Sequence, residues 1–141
     1  MTPDPSTELF ELPIKIKPED IDRLNHVNNT VYVRWVQDAA VAHWYHAATK
    51  EEAEKYLWVV IRHEIDYKYP AKSGDDIIAK TRVGTSTALA FERLTDIYRS
   101  SDNKLLASAR TLWCPVDPKS LRPVRVTDET RKRFSVMKSE K

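Results

Sequence analysis

One short segment, Asp20 to Tyr32, concentrates the side chains of this chain that could do chemistry. It contains two carboxylates, three amides and an imidazole, and a long amphipathic pattern begins where it ends. A carboxylate such as Asp22 can act as a general base or as a nucleophile. A helix start adds unpaired backbone N–H groups and the positive end of a dipole, which stabilise a developing anion. The segment is therefore the candidate reaction site.

The residues before the helix divide into candidates with different roles. Asp22 is the candidate base or nucleophile, and the alternative is a loop carboxylate that bonds the backbone of its own turn. His26 and Asn25 could orient a carbonyl or an attacking water, or could tie down the loop. Asp20 is expected to be a solvated or turn-forming acid.

Four further residues are candidates for substrate contacts at the start of the helix. Asn28 and Asn29 are expected first of all to cap the helix, and one of their side chains could also touch a substrate. Tyr32 and Trp35 have the spacing of core residues, but a pocket beside the helix would let them line it as well.

Other reactive side chains have weaker support. His43 and His46 share a helix, but no acid at ligand spacing completes a metal site, so no metal is expected. Cys114 could be imagined as a nucleophile with His26 and Asn25. It precedes a proline at the end of a predicted strand and has no local partner, so a quiet, half-buried thiol is expected.

The elements that must position these residues follow from hydrophobic periodicity and turn residues. A strand is predicted at Leu9–Lys17, interrupted by Pro13 in a way that suits an edge strand or a bulge. A long helix is predicted from Val31 to about Ala48, with an apolar face that contains several alanines. The segments that follow are a short helix or loop at Lys50–Tyr56, strands at Val60–Tyr69, Asp76–Val83, Leu89–Arg99 and Lys104–Val116, a turn at Gly84–Thr87, and a helix capped by Thr127 over Asp128–Met137.

Short links between the four late strands predict an antiparallel meander. In the strand at Val60–Tyr69, Ile61, His63, Ile65, Tyr67 and Tyr69 are predicted to share one face. One long helix against one antiparallel sheet is an α+β domain of two layers.

Length and composition restrict the class of protein. The 141 residues predict a single domain, residues 1–141, of which 1–8 are expected to be frayed. A net charge of +2 gives no argument for nucleic acid, and no apolar run reaches the length of a membrane span. One cysteine and a polar N-terminus without a signal-peptide pattern indicate a cytoplasmic protein. The two glycines form no phosphate-binding loop.

Two motifs resemble the hotdog-fold acyl-CoA thioesterases of the 4-hydroxybenzoyl-CoA thioesterase type, and the matching segment of plant acyl-ACP thioesterases. The first is Asp22-x-x-x-His26-Val27-Asn28-Asn29-x-x-Tyr32-x-x-Trp35, and the second is Ile65-Asp66-Tyr67-x-x-Pro70-Ala71-x-x-Gly74-Asp75. Arg122-Pro123-Val124 near the end also fits, and the resemblance extends from about Phe10 to Phe134.

The resemblance implies a hotdog fold, in which a curved five-stranded antiparallel sheet is wrapped around the long helix. It also implies a homodimer or tetramer with sites at subunit interfaces, and hydrolysis of acyl thioesters without metal or redox cofactor. Two departures stand out. Many relatives have Gly where Asn25 stands, and many have a Glu where Gln37 stands on the helix.

We therefore expect an acyl-CoA thioesterase that uses Asp22 as base or nucleophile and the start of the Val31–Ala48 helix as oxyanion site. One alternative is an acyl-ACP thioesterase on the same fold. The other is a non-catalytic acyl-thioester-binding protein, which the missing glutamate would favour. A basic segment near the C-terminus is expected to be mostly solvated, but Arg122, Arg125 and Arg131 could meet the phosphates of coenzyme A.

Overall fold

The structure, a computed structural model, describes residues 7–137. Their helices and strands are β1 (Phe10–Lys15), α1 (Asn29–Ala47), α2 (Lys50–Lys55), β2 (Leu57–Tyr67), β3 (Asp76–Ser86), β4 (Phe91–Arg99), β5 (Lys104–Val116), α3 (Asp128–Phe134) and β6 (Val136–Met137). A turn of 3-10 helix at Pro18–Asp20 lies between β1 and α1. The predicted order of strand, long helix, four strands and short helix is confirmed, and β6 is an addition to it.

Five strands form one antiparallel sheet in the order β1-β3-β4-β5-β2, and the short β6 pairs with β3 in parallel. Strands β3, β4 and β5 are consecutive hairpins, as predicted. The meander does not extend to β2, which pairs with β5 and not with β3. The reason is the segment 68–75, which carries the chain from β2 at one edge to β3 near the other. Pro13 lies on the edge strand β1, as its missing N–H predicts.

An irregularity in β2 changes which of its residues face the helix. The pairing with β5 shifts register between Val60 and Arg62, so one extra residue bulges out of the ladder. That residue is Ile61, which is 58% exposed, whereas His63 and Ile65 are partly buried. The predicted placement of Ile61 on the same face as His63 and Ile65 is therefore wrong.

Two predicted boundaries near the end of the sheet are also wrong. The segment Gly84–Thr87 is not a turn, because β3 continues to Ser86 and the turn to β4 follows it. Gly84 serves close packing there, since a Cβ at this position would collide with the carboxylate of Glu92. The last helix ends at Phe134 and not at Met137, because Val136–Met137 pair with β3.

The long helix α1 packs on the inner face of the sheet, mainly over β1, β3 and β4. Its buried side chains follow the predicted apolar face, and two small residues, Ala39 and Ala40, allow close approach. The main core cluster lies between helix and sheet and includes Trp35, Ile97 and Leu106. This packing leaves the inner face of β2 less covered by α1 than that of β3.

The predicted fraying of residues 1–8 falls mostly on residues 1–6, which lie outside the described residues. Glu8 is described, and its carboxylate oxygen lies 2.7 Å from Nε2 of His43 on α1. The chain is thus anchored to the helix from Glu8 onward. Within residues 7–137, no helix is long and apolar enough to span a membrane.

Candidate active site

The loop before α1 is organised by the carboxylate of Asp22. Its Oδ1 accepts hydrogen bonds from the backbone N–H of Leu24 at 2.8 Å and of His26 at 3.1 Å. The turn between them places Asn25 at a positive φ, a left-handed conformation that asparagine tolerates better than most side chains. Asp22 therefore does bond its own turn, but only through Oδ1. Within residues 7–137, Oδ2 makes no hydrogen bond, so it can accept one from water or substrate.

The two sequence motifs meet in space at this loop. The backbone N–H of Val27 donates to the carbonyl oxygen of Ala71 at 2.8 Å, and His26 forms an antiparallel bridge with Lys72. The backbone N–H of Ala71 in turn donates to the hydroxyl of Tyr32 at 2.8 Å. The loop is therefore held between the helix and the segment that follows β2.

Of the two roles expected for Asp20, the structure has the turn-forming one, since its carboxylate closes the 3-10 turn, and the residue is buried and not solvated. Its side chain is 1% exposed, and both carboxylate oxygens accept from Nη2 of Arg34 at 3.0 Å. One oxygen also accepts from the backbone N–H of Lys17, and the Asp20 carbonyl accepts from the backbone N–H of Asn28. Asp20 thus joins the end of β1 to the start of α1.

The helix start carries unpaired donors. Asn28 is at the N-cap position, but its side chain does not cap; its Nδ2 donates instead to the Asp20 carbonyl at 3.4 Å. The expected capping hydrogen bond is therefore not formed. In the part of the chain that the structure describes, no acceptor meets the backbone N–H of Asn29 or Thr30. These two donors, at the positive end of the α1 dipole, are suited to an oxyanion.

Tyr32 and Trp35 are placed in the core, where they are 2% and 1% exposed. The Tyr32 hydroxyl is occupied by Ala71, and burial raises the pKa of this phenol. The two rings pack edge to face with centroids 5.1 Å apart. Neither ring is exposed in the single chain, and their contact with a substrate stays a prediction.

Tyr67 is a site residue that the sequence did not single out. Its hydroxyl donates to the carbonyl oxygen of Asn29 at 3.1 Å, and its ring lies at 5.3 Å from that of Tyr32. The residue is 45% exposed at the helix start, so it can contact a bound ligand. The position of Tyr67 in the second sequence motif is the signal that could have identified it.

The His26 imidazole is free to contact a substrate, since no residue within 7–137 hydrogen-bonds to it.

The other reactive side chains lie elsewhere. Cys114 is half-buried on β5 opposite Val59, whereas Tyr67, beside the loop, pairs with Ala107. The seven residue steps of β5 from Ala107 to Cys114 span about 23 Å. The thiol is therefore far from Tyr67 and from the neighbouring loop that holds His26. His43 is bound on both ring nitrogens, by Glu8 and by Arg93. Among the described residues, no three His, Cys, Asp or Glu side chains are grouped to hold a metal ion.

The three candidate phosphate contacts differ in their surroundings. Arg131 is 4% exposed and donates to the Ser86 carbonyl at 2.7 Å, so its guanidinium is not available to a phosphate. Arg122 and Arg125 are exposed. They follow β5 near the bridge between Val116 and Pro123, at the end of the sheet farthest from Tyr67.

Residues 16–134 match the model of the thioesterase-like superfamily. The chain belongs to this superfamily. It is 28% identical over 123 residues to the acyl-CoA thioester hydrolase YbgC of Escherichia coli, which covers 84% of this chain and 90% of that protein.

Two solved thioesterases show the same fold. A Thermus thermophilus thioesterase, complexed with coenzyme A and Zn, has a TM-score of 0.74 and 21% identity, and covers 88% of this chain and 90% of that one. The 1,4-dihydroxy-2-naphthoyl-CoA thioesterase Slr0204 of Synechocystis has a TM-score of 0.75 and 15% identity, with coverage of 89% and 95%. The expected hotdog fold and the expected enzyme class, a thioester hydrolase, are confirmed. The roles of single residues stay predictions.

Proposed function

We propose that this thioesterase-superfamily protein hydrolyses an acyl-CoA thioester to a free acid and a thiol. The observation that carries the proposal is that one short segment presents both a carboxylate oxygen without a hydrogen-bond partner and backbone N–H groups without an acceptor. Asp22 Oδ2 is left over from the turn that Oδ1 builds, and the N–H groups of Asn29 and Thr30 begin the helix that follows. The similarity to YbgC supports coenzyme A as the carrier.

In the proposed mechanism, Asp22 removes a proton from a water molecule, whose oxygen attacks the thioester carbonyl carbon. The carbonyl oxygen becomes an oxyanion and accepts hydrogen bonds from Asn29 and Thr30. Collapse of this intermediate breaks the carbon–sulfur bond and releases a thiolate. Because a thiol has a pKa of roughly 8.5, this leaving group needs no strong general acid.

A nucleophilic variant uses the same groups. Asp22 would attack the carbonyl carbon itself, expel the thiolate and form an anhydride, which water then hydrolyses. His26 and Asn25, at the tip of the same loop, would orient the water or the carbonyl. Neither route needs a metal or redox cofactor.

Two alternative functions follow from specific features of the chain. An acyl-ACP thioesterase would use the same groups and differ only in the carrier it accepts. The alternative of a non-catalytic binder rests on Gln37, at a helix position where the resemblance described above implies Glu. Thiol release from a panel of short, long and aromatic acyl-CoAs and acyl-ACPs tests all three. Release from acyl-CoA supports the proposal, and binding without release by a folded protein overturns it.

We also propose that two copies associate through the edge strand β2. This strand has no partner on its outer edge within the described residues, and it exposes Leu57, Val59, Ile61 and Tyr67 by 40–58%. An open apolar edge of this kind is a template for pairing with another strand. A two-fold axis would make the pairing antiparallel, with the Leu57 end of each strand toward the Tyr67 end of the other.

This arrangement would bring the segment that holds Arg122 and Arg125 in one copy toward the Asp22 loop of the other. Within one copy, the segment with Arg122 and Arg125 and the Asp22 loop lie at opposite ends of β2. The length of β2 from Leu57 to Tyr67 keeps the two roughly 30 Å apart. Light scattering at micromolar concentration tests the association. A particle that stays at 16.4 kDa excludes the dimer and the tetramer.

A further inference from the structure

A pocket with aromatic walls lies at the far end of α1 from the Asp22 loop. Its cavity volume is about 170 Å³. Its walls include Trp44, Trp58, Trp113, Phe91 and Phe134. Val41 and Leu57 also line it and are 48% and 40% exposed, which places them at the mouth. Walls of this kind favour an apolar chain or ring over a hydrated ligand.

One wall of this pocket carries a buried cation, Arg93 on β4, which is 7% exposed. Its Nη1 donates to Nδ1 of His43 at 3.0 Å and to Oγ1 of Thr81 at 3.1 Å. Burial lowers the pKa of Arg93 to about 10, so the guanidinium is still charged at neutral pH. Among residues 7–137, no carboxylate forms an ion pair with it, and its Nε and Nη2 have no hydrogen-bond acceptor.

The neighbouring carboxylates do not neutralise this charge. Glu8 is reached only through His43: Nδ1 of the ring accepts from Arg93, so Nε2 carries the hydrogen and donates to Glu8 at 2.7 Å. The ring in this state is neutral. Glu92 accepts from Nε of Arg110 and from Thr85. A buried cation without an anion is costly, and a ligand that brings the anion offsets that cost.

We propose that the pocket binds a carboxylate attached to an apolar chain or ring, with Arg93 as its anchor. The free edge of the guanidinium, formed by Nε and Nη2, matches the two oxygens of a carboxylate. The aromatic side chains receive the apolar part. Within one copy this site is separate from the proposed reaction site, because the helix rises about 18 Å between Asn29 and Val41. In the dimer proposed above, its Leu57 side would face the Asp22 loop of the other copy. The inference does not depend on thioester hydrolysis.

Binding is measured by the fluorescence of the tryptophans, three of which line the pocket, or by calorimetry, without any thioester present. The probes are decanoate and decanol, which share an apolar chain and differ in the carboxylate. We expect decanoate to bind at least tenfold more tightly than decanol. Equal affinities for the two probes overturn the proposal.

Three variants locate the binding. Arg93→Gln removes the charge and should weaken decanoate binding at least tenfold while leaving decanol unchanged. Arg62→Gln, which removes an exposed guanidinium paired with Glu64, is the matched control and should bind as the wild type does. Val41→Trp fills the mouth from an exposed position and should weaken both probes. If Arg93→Gln does not fold, Val41→Trp and the two probes decide, and unchanged decanoate binding by Val41→Trp overturns the proposal.

The carboxylate could belong to a free acid or to the far end of a long acyl substrate. Hydrolysis of dodecanedioyl-CoA and dodecanoyl-CoA distinguishes these sources. A preference for the first substrate that Arg93→Gln abolishes assigns the anchor to a substrate's far end. Equal rates on both substrates, together with decanoate binding that needs Arg93, assign it to a free acid.

Discussion

Arg34 on α1 holds Asp20 through a single nitrogen, Nη2, which lies 3.0 Å from each carboxylate oxygen. Asp20 also accepts from the backbone N–H groups of Lys17, before the 3-10 turn, and Asn28, at the cap of α1. One ion pair therefore fixes both the entry to the Asp22 loop and its exit. The loop that carries the proposed base is short, and its two ends are anchored to the same acidic residue.

We expect Arg34→Gln to destabilise the fold by about 2 kcal/mol, because it leaves the buried Asp20 carboxylate without its cation. The half-exposed position of Arg34 keeps this value below that of a fully buried pair. Denaturant unfolding followed by circular dichroism measures it. The matched control is Arg62→Gln, which breaks an exposed pair on β2 and should have a much smaller effect on stability. Equal losses of unfolding free energy in the two variants would show that the Arg34–Asp20 pair stabilises the fold no more than an exposed pair does.

Asp22→Asn should lower kcat by on the order of 10²–10⁴, since the amide cannot act as base or nucleophile. The fold should survive, because the amide oxygen can still accept from Leu24 and His26 as Oδ1 does. Asp22→Ala should also lose stability, because it removes that acceptor. Thiol release under saturating acyl-CoA measures the rate, and denaturant unfolding measures the stability.

Three controls accompany the Asp22 series. Asp38→Asn, an exposed acid on α1, should leave kcat unchanged. His26→Ala should cost less than Asp22→Asn if the imidazole only orients a reactant. Cys114→Ser should retain nearly the full rate. An Asp22→Asn enzyme that keeps more than about half of the wild-type kcat removes Asp22 from the chemistry.

Much of the fold could be predicted because the sequence is locally consistent. The polar links between β3, β4 and β5 specify hairpins, and the apolar face of α1 specifies its packing. The pairing of β2 with β5 could not be predicted, because strand order depends on how the segment 68–75 crosses the end of the sheet. The bulge at Ile61 could not be predicted either, because residues Leu57–Ile61 are all apolar, so the change of face at the bulge leaves no mark in the residue types.

The candidate site could be predicted in its location but not in its contacts. The motif pointed to the loop and to Asp22, and the unusual Asn25 marks the left-handed turn. The burial of Asp20 depends on Arg34, which the helix pattern placed on a polar face without naming a partner. Tyr67 comes to the helix start only through the sheet, so no local pattern could connect it with Asn29.

A mixed dimer can test whether the phosphate contacts come from the second copy. Arg122→Ala with Arg125→Ala should raise the KM for acyl-CoA more than it lowers kcat, and added salt should weaken wild-type activity. If the arginines of one copy serve the Asp22 of the other, a dimer of one Asp22→Asn copy and one Arg122→Ala/Arg125→Ala copy contains one intact site. Mixing the two variants should then restore about a quarter of the wild-type kcat/KM, since half of the dimers are mixed and each has one intact site. No restoration in a dimer that exchanges subunits would place the arginines elsewhere.

The histidines make stability depend on pH in a direction that the structure fixes. Burial lowers the pKa of His43, and the neighbouring Arg93 guanidinium lowers it further, while Glu8 opposes the shift. Burial also lowers the pKa of His63. In the unfolded chain both imidazoles have a pKa of about 6.5. Below that pH the unfolded state therefore binds protons that the folded state does not. Their contribution to stability is therefore complete above a pH of about 6.5 and is lost as the pH falls toward the folded pKa values.

We expect the unfolding free energy of the wild type to fall between pH 7.5 and 5.5, with a slope that His43→Gln reduces. The glutamine amide can accept from Arg93, so the variant tests the titration and not only the packing. Each group that titrates only in the unfolded state contributes at most about 1.4 kcal/mol per pH unit. His46→Gln, on the same helix and exposed, is the matched control and should leave the slope as it is. A slope that is the same in His43→Gln and the wild type would mean that the folded protein protonates His43 as readily as the unfolded chain does.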